Sequence, residues 1–158
     1  MLLDQSMGPI RFRRSSERLR EGRCPALALV AIENEMLIGT VRLWHAKARG
    51  LPDALMLGPL AVNESARGNG IGGALMVAAI AQARLYGHSA IVLVGDEPWY
   101  GRFGFRARHA HRLAMPGPFE RHRLLGLPLT EQALERAHGV LRPAGAFHLQ
   151  SSAAARAA

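Results

Sequence analysis

Four glycines lie close together in the segment from Arg67 to Gly73, whose sequence is Arg-Gly-Asn-Gly-Ile-Gly-Gly. The segment follows an apolar stretch over residues 55–62 and leads directly into an alanine-rich stretch over 74–86 that has helical spacing. A helix N-terminus presents unsatisfied N–H groups and the positive end of the helix dipole, and glycines let an anion approach the backbone closely. The pattern therefore predicts a loop that binds phosphate groups through main-chain amides.

Three known glycine spacings can be compared with this loop. The P-loop pattern fails because no lysine lies near the loop. The Rossmann pattern fits only loosely, since the apolar run over 90–94 is followed by Asp96 alone and lacks the acidic residue expected about 20 residues on. The third pattern, an arginine or glutamine followed at fixed distances by two small residues, is met by Arg67, Gly70 and Gly72.

Pro59 lies inside the apolar stretch over 55–62, which otherwise has the composition of a strand. A proline has no N–H to donate to a sheet ladder, so we expect this strand to bulge or to separate from its neighbour at Gly58–Pro59. Such a break leaves backbone groups free for a ligand. The run over 90–94 is the next strand, and a strand–loop–helix–strand unit normally joins neighbouring parallel strands.

The rest of the chain divides into short predicted elements. A polar helix precedes an antiparallel hairpin, and a connection leads from the hairpin to the strand that contains Pro59; these segments are 13–21, 26–32, 36–44 and 45–53. After the strand over 90–94 we expect a short helix, two strands around a turn, a small helix and a frayed tail, over 98–103, 105–112, 121–129, 130–139 and 151–158.

Length and composition indicate one globular domain, because 158 residues with 49% hydrophobic side chains can bury a proper core. The 17 glycines and 9 prolines have no period, which excludes collagenous and low-complexity classes. The sequence contains no run of about 18 apolar residues, so no membrane span is predicted. The first residues do not resemble a secretory signal. The single Cys24 cannot form an internal disulfide, which fits a reducing cytoplasm.

The net charge of +8 excludes acidic solvating proteins and favours anionic partners such as nucleic acid or acidic small molecules. Residues 1–100 carry 11 basic and 9 acidic side chains, whereas 101–158 carry 9 basic and 3 acidic ones, so the excess lies in the C-terminal part. Of the 20 basic residues only Lys47 is a lysine. The arginines reflect either a GC-rich genome or selection for planar anion binding.

The stretch from 57 to 105 resembles the GCN5-related N-acetyltransferase (GNAT) superfamily, of the small bacterial type. The resemblance is carried by the strand ending Leu60-Ala61-Val62, the loop from Arg67 to Gly72, and the closing Tyr-Gly-Arg-Phe-Gly-Phe from Tyr100. The two motifs lie about 30 residues apart with a helix and a strand between them, which makes their combination far more specific than either one. The resemblance extends more weakly over residues 20–130.

The resemblance implies an α/β fold with a mixed, mainly antiparallel sheet. Its two parallel strands would splay at Val62 and Val94 and hold acetyl-CoA between them. A single domain would cover 1–148, with a helical segment over 1–24, and 149–158 would form a disordered tail. The first strand usual in the family is missing from this sequence, which would expose a sheet edge and favour pairing with a second subunit as a homodimer.

The implied activity is an acetyl-CoA-dependent N-acetyltransferase that acts on a primary amine by direct attack in a ternary complex, without a metal. The acceptor would be an unidentified small molecule or protein, and the basic surface favours an acidic one. A non-catalytic acyl-CoA sensor and a basic nucleic-acid-binding module are the alternatives on the same scaffold. By resemblance, the residues that would contact acetyl-CoA are Leu60, Ala61, Val62, Arg67, Gly68, Asn69, Gly70, Ile71, Gly72, Gly73, Tyr100 and Phe103.

Tyr100 occupies the position of the family tyrosine that lies near the CoA sulfur, where it would protonate or position the leaving thiolate. Its alternative role is an aromatic packed beside Trp99 and Phe103. The backbone N–H of Leu60 would stabilise the oxyanion, by analogy with the family. The strand over 55–62 carries no carboxylate, so Asp96 is the best candidate for a general base, although it also fits a turn or cap residue. His45 is the next candidate.

Three further groups of residues carry side chains that could act in catalysis or binding. Cys24 has no obvious histidine partner and is interpreted as a bystander thiol. His109, His111 and His122 lack a metal-ligand spacing, and the first two would share one strand face. A group of arginines would either rim the acceptor mouth and contact CoA phosphate or form a solvated surface: Arg102, Arg106, Arg108, Arg112, Arg121 and Arg123.

Overall fold

The computed structural model describes residues 15–148, so the predictions for residues 1–14, including the missing first strand, and for the tail lie outside the described residues. Seven strands lie within these described residues: β1 (Leu27–Glu33), β2 (Met36–Arg49), β3 (Leu51–Val62), β4 (Ala90–Val94), β5 (Leu113–Ala114), β6 (Leu124–Pro128) and β7 (His138–Pro143). The same residues contain two α-helices, α1 (Ile71–Leu85) and α2 (Glu97–Tyr100), and short 3-10 turns at Ser15–Leu19, Glu64–Ala66, Gly101–Phe103, Ala107–Ala110 and Arg121–Arg123.

The strands form one mixed sheet in the order β5-β7-β2-β3-β4-β6, with β1 on the same edge of β2 as β7. Only the β3–β4 and β5–β7 pairs are parallel, as expected for a mixed, mainly antiparallel sheet. α1 connects β3 to β4 and packs on one face of the sheet. Within residues 15–148, β1 pairs with β2 alone, and pairing of its other edge with a second subunit stays a prediction.

The β3–β4 ladder is short and ends well before the two strands do. The parallel register runs from Ala54 opposite Ala90 to Met56 opposite Val92 and stops there. On its other side β3 pairs with β2 up to Val62, with a register shift at the Gly58–Pro59 peptide, which is cis. The predicted break at this proline is therefore confirmed, and the C-terminal halves of β3 and β4 separate.

The break does not leave every backbone group free. The indole N–H of Trp44 on β2 donates to the carbonyl of Gly58 at 2.7 Å. Trp44 is 7% exposed, so this bond satisfies a donor and an acceptor that would otherwise be buried without partners. The edge of β3 that remains open to a ligand lies beyond it, at Leu60 to Val62.

The sheet has a hydrophobic core on both of its faces, and β4, which is apolar throughout, contributes to both. Ala90 and Val92 face one cluster with Leu19, while Ile91 and Leu93 face the other, which includes Phe105. Alternate residues of a strand point to opposite faces, so a continuous apolar run is what a strand covered on both faces requires.

α1 begins three residues earlier than the periodicity predicts and buries a slightly different face. The sequence pattern favoured Ile71, Leu75, Ala78, Ala79 and Gln82, but the buried side chains of the helix are Leu75, Met76, Ala79 and Ala83. Ala78 is exposed. The small alanines let the helix lie close to the sheet, and apolar periodicity cannot distinguish two adjacent faces when alanines lie on both.

Residues 45–53 are not the connection that was predicted, because β2 continues to Arg49 and β3 begins at Leu51. Gly50 alone turns the chain, with a φ of +69° that favours glycine. Pro52 suggested a loop, yet it stands exposed in the first residues of β3, where a strand tolerates proline.

Two further predictions in the C-terminal part are wrong. The strand over 105–112 is replaced by a 3-10 turn at Ala107–Ala110, whose first N–H donates to the Glu97 carboxylate at 2.8 Å. The helix over 130–139 is a series of turns that passes through Gln132 with a φ of +59°, followed by β7. The strand over 121–129 is confirmed in part as β6, and β7 was not predicted.

None of the helices in the described part of the chain has the length and hydropathy needed to cross a membrane.

Candidate functional site

The glycine-rich loop joins the open end of β3 to the N-terminus of α1. Gly68 and Gly70 have φ values of +84° and +75°, which side-chain-bearing residues rarely adopt. Gly70 is the residue that precedes α1, and it provides no side-chain hydrogen bond to the first turn. The first-turn N–H groups of an α-helix have no partner within the helix. Those of α1 are therefore available to bind an anion at the loop.

A groove of about 570 Å³ opens in front of this helix end. Its walls come from the end of β3, the glycine loop, the first turns of α1, α2 and the turn after α2: Val62, Ala66, Arg67, Gly68, Gly70, Ile71, Gly72, Gly73, Val77, Trp99, Arg102 and Phe103. The set includes most of the residues expected around a phosphate. Asn69 belongs to the loop but lies in its exposed turn, outside the groove lining.

A second cavity of about 330 Å³ continues the groove toward the gap between β3 and β4. It shares four lining residues with the first, so the two form one continuous groove: Val62, Arg67, Gly72 and Trp99. Its remaining lining residues are Leu60, Ala61, Asp96 and Tyr100. The structure thus brings the phosphate-binding loop, the open strand and the proposed catalytic side chains of the sequence prediction to one place.

Tyr100 is held by close packing on a glycine. A Cβ added at Gly95 would lie 2.7 Å from Cδ2 of Tyr100, so the ring rests directly on the backbone at the end of β4. Trp99 and Phe105 contact the ring edge to face, at centroid distances of 4.7 Å and 6.2 Å. The packing role that was the alternative for Tyr100 is therefore present, and the same packing fixes the ring beside the groove.

Replacing Gly95 with Ala is expected to lower the free energy of unfolding by about 1–3 kcal/mol, because the new methyl overlaps the Tyr100 ring and must displace it from its contacts with Trp99 and Phe105. Thermal denaturation measures this loss, and the near-ultraviolet circular dichroism of the aromatic cluster should change with it. Gly73→Ala is the matched control, since its Cβ meets Phe103 at an ordinary 3.8 Å. Equal stability of Gly95→Ala and Gly73→Ala would contradict the tight packing.

Asp96 lies at the edge of the groove and makes an ion pair that sequence analysis did not foresee. Its Oδ1 is 3.1 Å from Nε of Arg123, and its side chain is 73% exposed. It is the N-cap residue of α2, as its alternative interpretation predicts, and its carbonyl accepts from the N–H groups of Trp99 and Tyr100, although its side chain makes no capping hydrogen bond. His45, the second base candidate, lies on β2 and does not line the groove.

Arg123 also lines a separate cavity of about 430 Å³ on the other side of Asp96. The walls of this cavity come from the turn at Ser15, the end of β4 and the segment before β6: Ser15, Ser16, Val94, Pro118, Phe119, Glu120 and Arg123. Nη1 of Arg123 is 3.9 Å from the Glu120 carboxylate. Asp96 and Glu120 therefore flank the guanidinium, and this cavity carries charges of both signs.

The C-terminal arginines do not act as one basic rim. Arg102 lines the groove and stacks on Trp99 and Phe103, at 4.9 Å and 5.5 Å from the ring centroids. Arg106 donates instead to the carbonyls of Gly101 and Phe105, and Arg121 to that of Leu113. Of the six arginines, Arg102 alone lines the groove.

Trp99 was missed as a groove residue by sequence analysis. It was named there only as a packing neighbour of Tyr100, yet it lines both parts of the groove. It lies opposite Gly72, where an added Cβ would meet the indole at an ordinary contact distance of 3.6 Å. The available signal was its place directly before the closing motif that begins at Tyr100, in a short helix whose start is set by Pro98.

The expectations for cysteine and histidine are corrected in two places. Sγ of Cys24 lies 3.5 Å from Nδ1 of His148, so the thiol does have a histidine neighbour. His109 and His111 lie in and after the 3-10 turn at Ala107–Ala110, not on one strand face, and each contacts a backbone carbonyl. His122 lies 3.5 Å from the Glu120 carboxylate.

Comparison with known proteins gives the groove its context. Residues 25–107 match the family model of the acetyltransferase (GNAT) domain. The chain is 37% identical over 114 residues to the uncharacterized N-acetyltransferase YhbS of Escherichia coli strain K12, over 67% of this chain and 68% of that protein.

Solved structures agree with the sequence comparison. Escherichia coli YhbS in complex with CoA has a TM-score of 0.76 and 29% identity, covering 93% of this chain and 81% of that one. A GNAT family acetyltransferase from Brucella melitensis in complex with acetyl-CoA has a TM-score of 0.53 and 26% identity, covering 90% and 73%. Because the family model spans more than half of the sequence and the mixed sheet matches these enzymes, the chain belongs to the GNAT family of N-acetyltransferases.

Proposed function

We propose that this enzyme binds acetyl-CoA in the groove and transfers its acetyl group to a primary amine of a small molecule or protein by direct attack in a ternary complex. One observation carries the proposal: a continuous groove leads from the uncapped N-terminus of α1 to the gap between β3 and β4, where Tyr100 lies. Crystal structures of two relatives contain CoA and acetyl-CoA. Acetyl-CoA and a single cysteine both fit a cytoplasmic enzyme.

The loop fits a pyrophosphate because its main-chain N–H groups are donors at the positive end of the α1 dipole. The amides from Gly68 to Gly73 surround the helix end, and no Cβ fills the space at Gly68 or Gly70. Arg67 is half-exposed and lines the groove, with its Nε 3.4 Å from the Val62 carbonyl and its Nη1 3.6 Å from the Glu64 carboxylate. Neutral amides bind the anion without an ion pair that must break before product release.

The open edge of β3 would hold the arm that carries the thioester. Acetyl-CoA supplies the activated acetyl group when it is bound. Leu60, Ala61 and Val62 pair with β2 on one side, while the β4 side of β3 has no ladder partner beyond Met56 in the described residues. The N–H of Leu60 is our candidate donor to the thioester oxygen, where negative charge develops during attack by the amine.

Proton transfer would be divided between two side chains of the same cavity. The attacking amine must lose a proton as its nitrogen bonds to the acetyl carbon, and the thiolate must gain one as the carbon–sulfur bond breaks. The Tyr100 hydroxyl is the proposed donor to the thiolate. Asp96 is the proposed acceptor of the amine proton, directly or through water, because it lines the same cavity as Tyr100 and its side chain is 73% exposed.

Asp96→Asn is expected to lower kcat/KM for the amine about tenfold, because the amide keeps the shape but cannot accept the proton. The dissociation constant for acetyl-CoA should stay unchanged. Steady-state kinetics with varied amine and calorimetry with acetyl-CoA measure the two quantities. Glu35→Gln, at an exposed turn between β1 and β2, is the control. An Asp96→Asn enzyme with the wild-type kcat/KM across the pH range would remove Asp96 as the base.

The function is tested by titrating the full chain with acetyl-CoA in a calorimeter and then measuring thiol release over a panel of amines. Saturable binding followed by amine-dependent thiol release is the expected result. Binding without release over the panel would favour a non-catalytic acyl-CoA sensor. Absence of binding would overturn the assignment of the groove.

A further inference from the structure

We propose that His45, Asp53 and His88 form a binding site for a first-row divalent metal ion, with Zn²⁺ as the best match. One ligand atom from each residue, an imidazole nitrogen or a carboxylate oxygen, lies within 4.8 Å of the other two. Nδ1 of His88 is 3.1 Å from Oδ1 of Asp53, and the two imidazole rings have a centroid distance of 5.5 Å. The sequence analysis considered His109, His111 and His122 as metal ligands, so it did not predict this cluster.

The fold brings these residues together from three separate segments. His45 on β2 lies opposite Leu55 on β3, and Asp53 is two residues before Leu55. In a strand, residues two apart share a face, so the two ligand side chains lie on the same side of the sheet. His88 precedes β4, whose parallel pairing places Ala90 beside Ala54.

Backbone hydrogen bonds fix each ligand's position. The N–H of His88 donates to the carbonyl of Ala83 in the last turn of α1, at 3.1 Å. The N–H of Ser89 donates to the carbonyl of Asp53 at 3.3 Å, which joins the second and third segments directly beside the cluster. The carbonyl of His45 accepts from Ala144 at 3.1 Å. The cluster therefore needs only side-chain rotation to close on an ion.

The ligand set selects the class of ion. Imidazole nitrogen and carboxylate oxygen suit Zn²⁺ and its neighbours in the first transition row, while Mg²⁺ and Ca²⁺ prefer oxygen alone. Two ligands at about 2.0–2.2 Å from a tetrahedral Zn²⁺ are separated by about 3.4 Å, close to the spacing of His88 and Asp53. His88 must give up the proton from its Nδ1, which it can do by keeping the neutral form with a proton on Nε2.

The side-chain exposures fit an ion that enters from solvent. His88 has 11% of its side chain exposed and Asp53 has 51%, so one ligand is held by packing and the other is open to water. Three protein ligands leave a fourth position for water or a small anion.

This site is independent of the proposed acetyl transfer. The groove lies at the N-terminus of α1, whereas His88 follows its C-terminus, and a helix of 15 residues is about 22 Å long. A bound metal ion would link the β2–β3 hairpin to the segment between α1 and β4. It should therefore raise the thermal stability of the protein. Failure of one proposal therefore leaves the other intact.

The test is calorimetric titration of the tag-free, chelator-treated full chain with Zn²⁺, together with thermal denaturation over a range of Zn²⁺ concentrations. One Zn²⁺ per chain and a Tm that rises with the Zn²⁺ concentration are expected. His45→Ala and His88→Ala should each weaken binding at least about 100-fold, since removal of a ligand exceeds the loss seen for outer-shell partners. His122→Ala, an exposed histidine beside Glu120, is the control and should bind as wild type.

Two measurements keep the test decisive if a histidine variant is unstable. Asp53→Asn alters a half-exposed side chain and should weaken Zn²⁺ binding while preserving the circular dichroism spectrum. The absorption spectrum of bound Co²⁺ should show nitrogen and oxygen ligands with no thiolate charge-transfer band, which excludes Cys24 as the ligand. Zn²⁺ binding that survives all three substitutions, or binding of Mg²⁺ as tight as that of Zn²⁺, would overturn the proposal.

Discussion

Replacing Tyr100 with Phe is expected to lower kcat for acetyl transfer about 100-fold, the lower end of the usual range for loss of a general acid. The ring would keep its place on Gly95 and its contacts with Trp99 and Phe105, because these contacts use carbon atoms alone. Only the hydroxyl is lost, and with it the proton for the leaving thiolate. Steady-state kinetics with a saturating amine measure the change.

The second tyrosine of the chain provides the control for this experiment. Tyr86 lies just after α1 and is 64% exposed, so Tyr86→Phe should leave kcat unchanged. Calorimetry should give both variants the wild-type dissociation constant for acetyl-CoA. Full activity of Tyr100→Phe would show that the tyrosine contributes packing alone.

Gly70→Ala is expected to weaken acetyl-CoA binding about tenfold or more. An alanine in the left-handed conformation costs about 1–2 kcal/mol, and the loop can relieve this strain by changing φ at position 70. That change would rotate the first-turn amides of α1 away from the pyrophosphate. The dissociation constant from calorimetry is the measured quantity, and kcat at saturating acetyl-CoA should change little.

Gly87 offers a matched comparison at the other end of the same helix. Its φ is +78°, and like Gly70 it has no heavy atom within 4 Å of an added Cβ. Gly87→Ala should therefore lower the Tm to a similar extent while acetyl-CoA binding stays as in the wild type. If both variants lose affinity equally, the loss comes from general destabilisation and the loop assignment is wrong.

The sequence predicted the site better than it predicted the sheet. The site could be predicted because its signals are local. Glycines have the backbone freedom that the loop needs, and Pro59 lacks the N–H that a continuous ladder needs. The run over 90–94 is apolar throughout, as a strand buried on both faces must be. The loop residues other than Asn69 accordingly line one groove together with Leu60 and Tyr100. Their roles in catalysis stay predictions.

The errors come from pairings that are distant in the chain. β7 pairs with β2 through Arg49 opposite His138, 89 residues apart, and this short strand has too little apolar periodicity for the sequence to predict the pairing. The Glu97 carboxylate takes the N–H of Ala107 and starts a turn where the residue types suggested a strand. The ion pair of Asp96 with Arg123 depends on the same kind of long-range placement, and no spacing rule predicts it.

The placement of the two tryptophans gives the protein an internal fluorescent reporter. Trp44 is buried, and its indole is fixed by the bond to the Gly58 carbonyl, so its emission has little access to solvent. Trp99 forms part of the groove wall opposite Gly72. A molecule that enters the groove changes the surroundings of Trp99 alone. Occupancy can thus be followed by the emission of the unlabelled chain, with Trp44 as an unchanging reference within the same molecule.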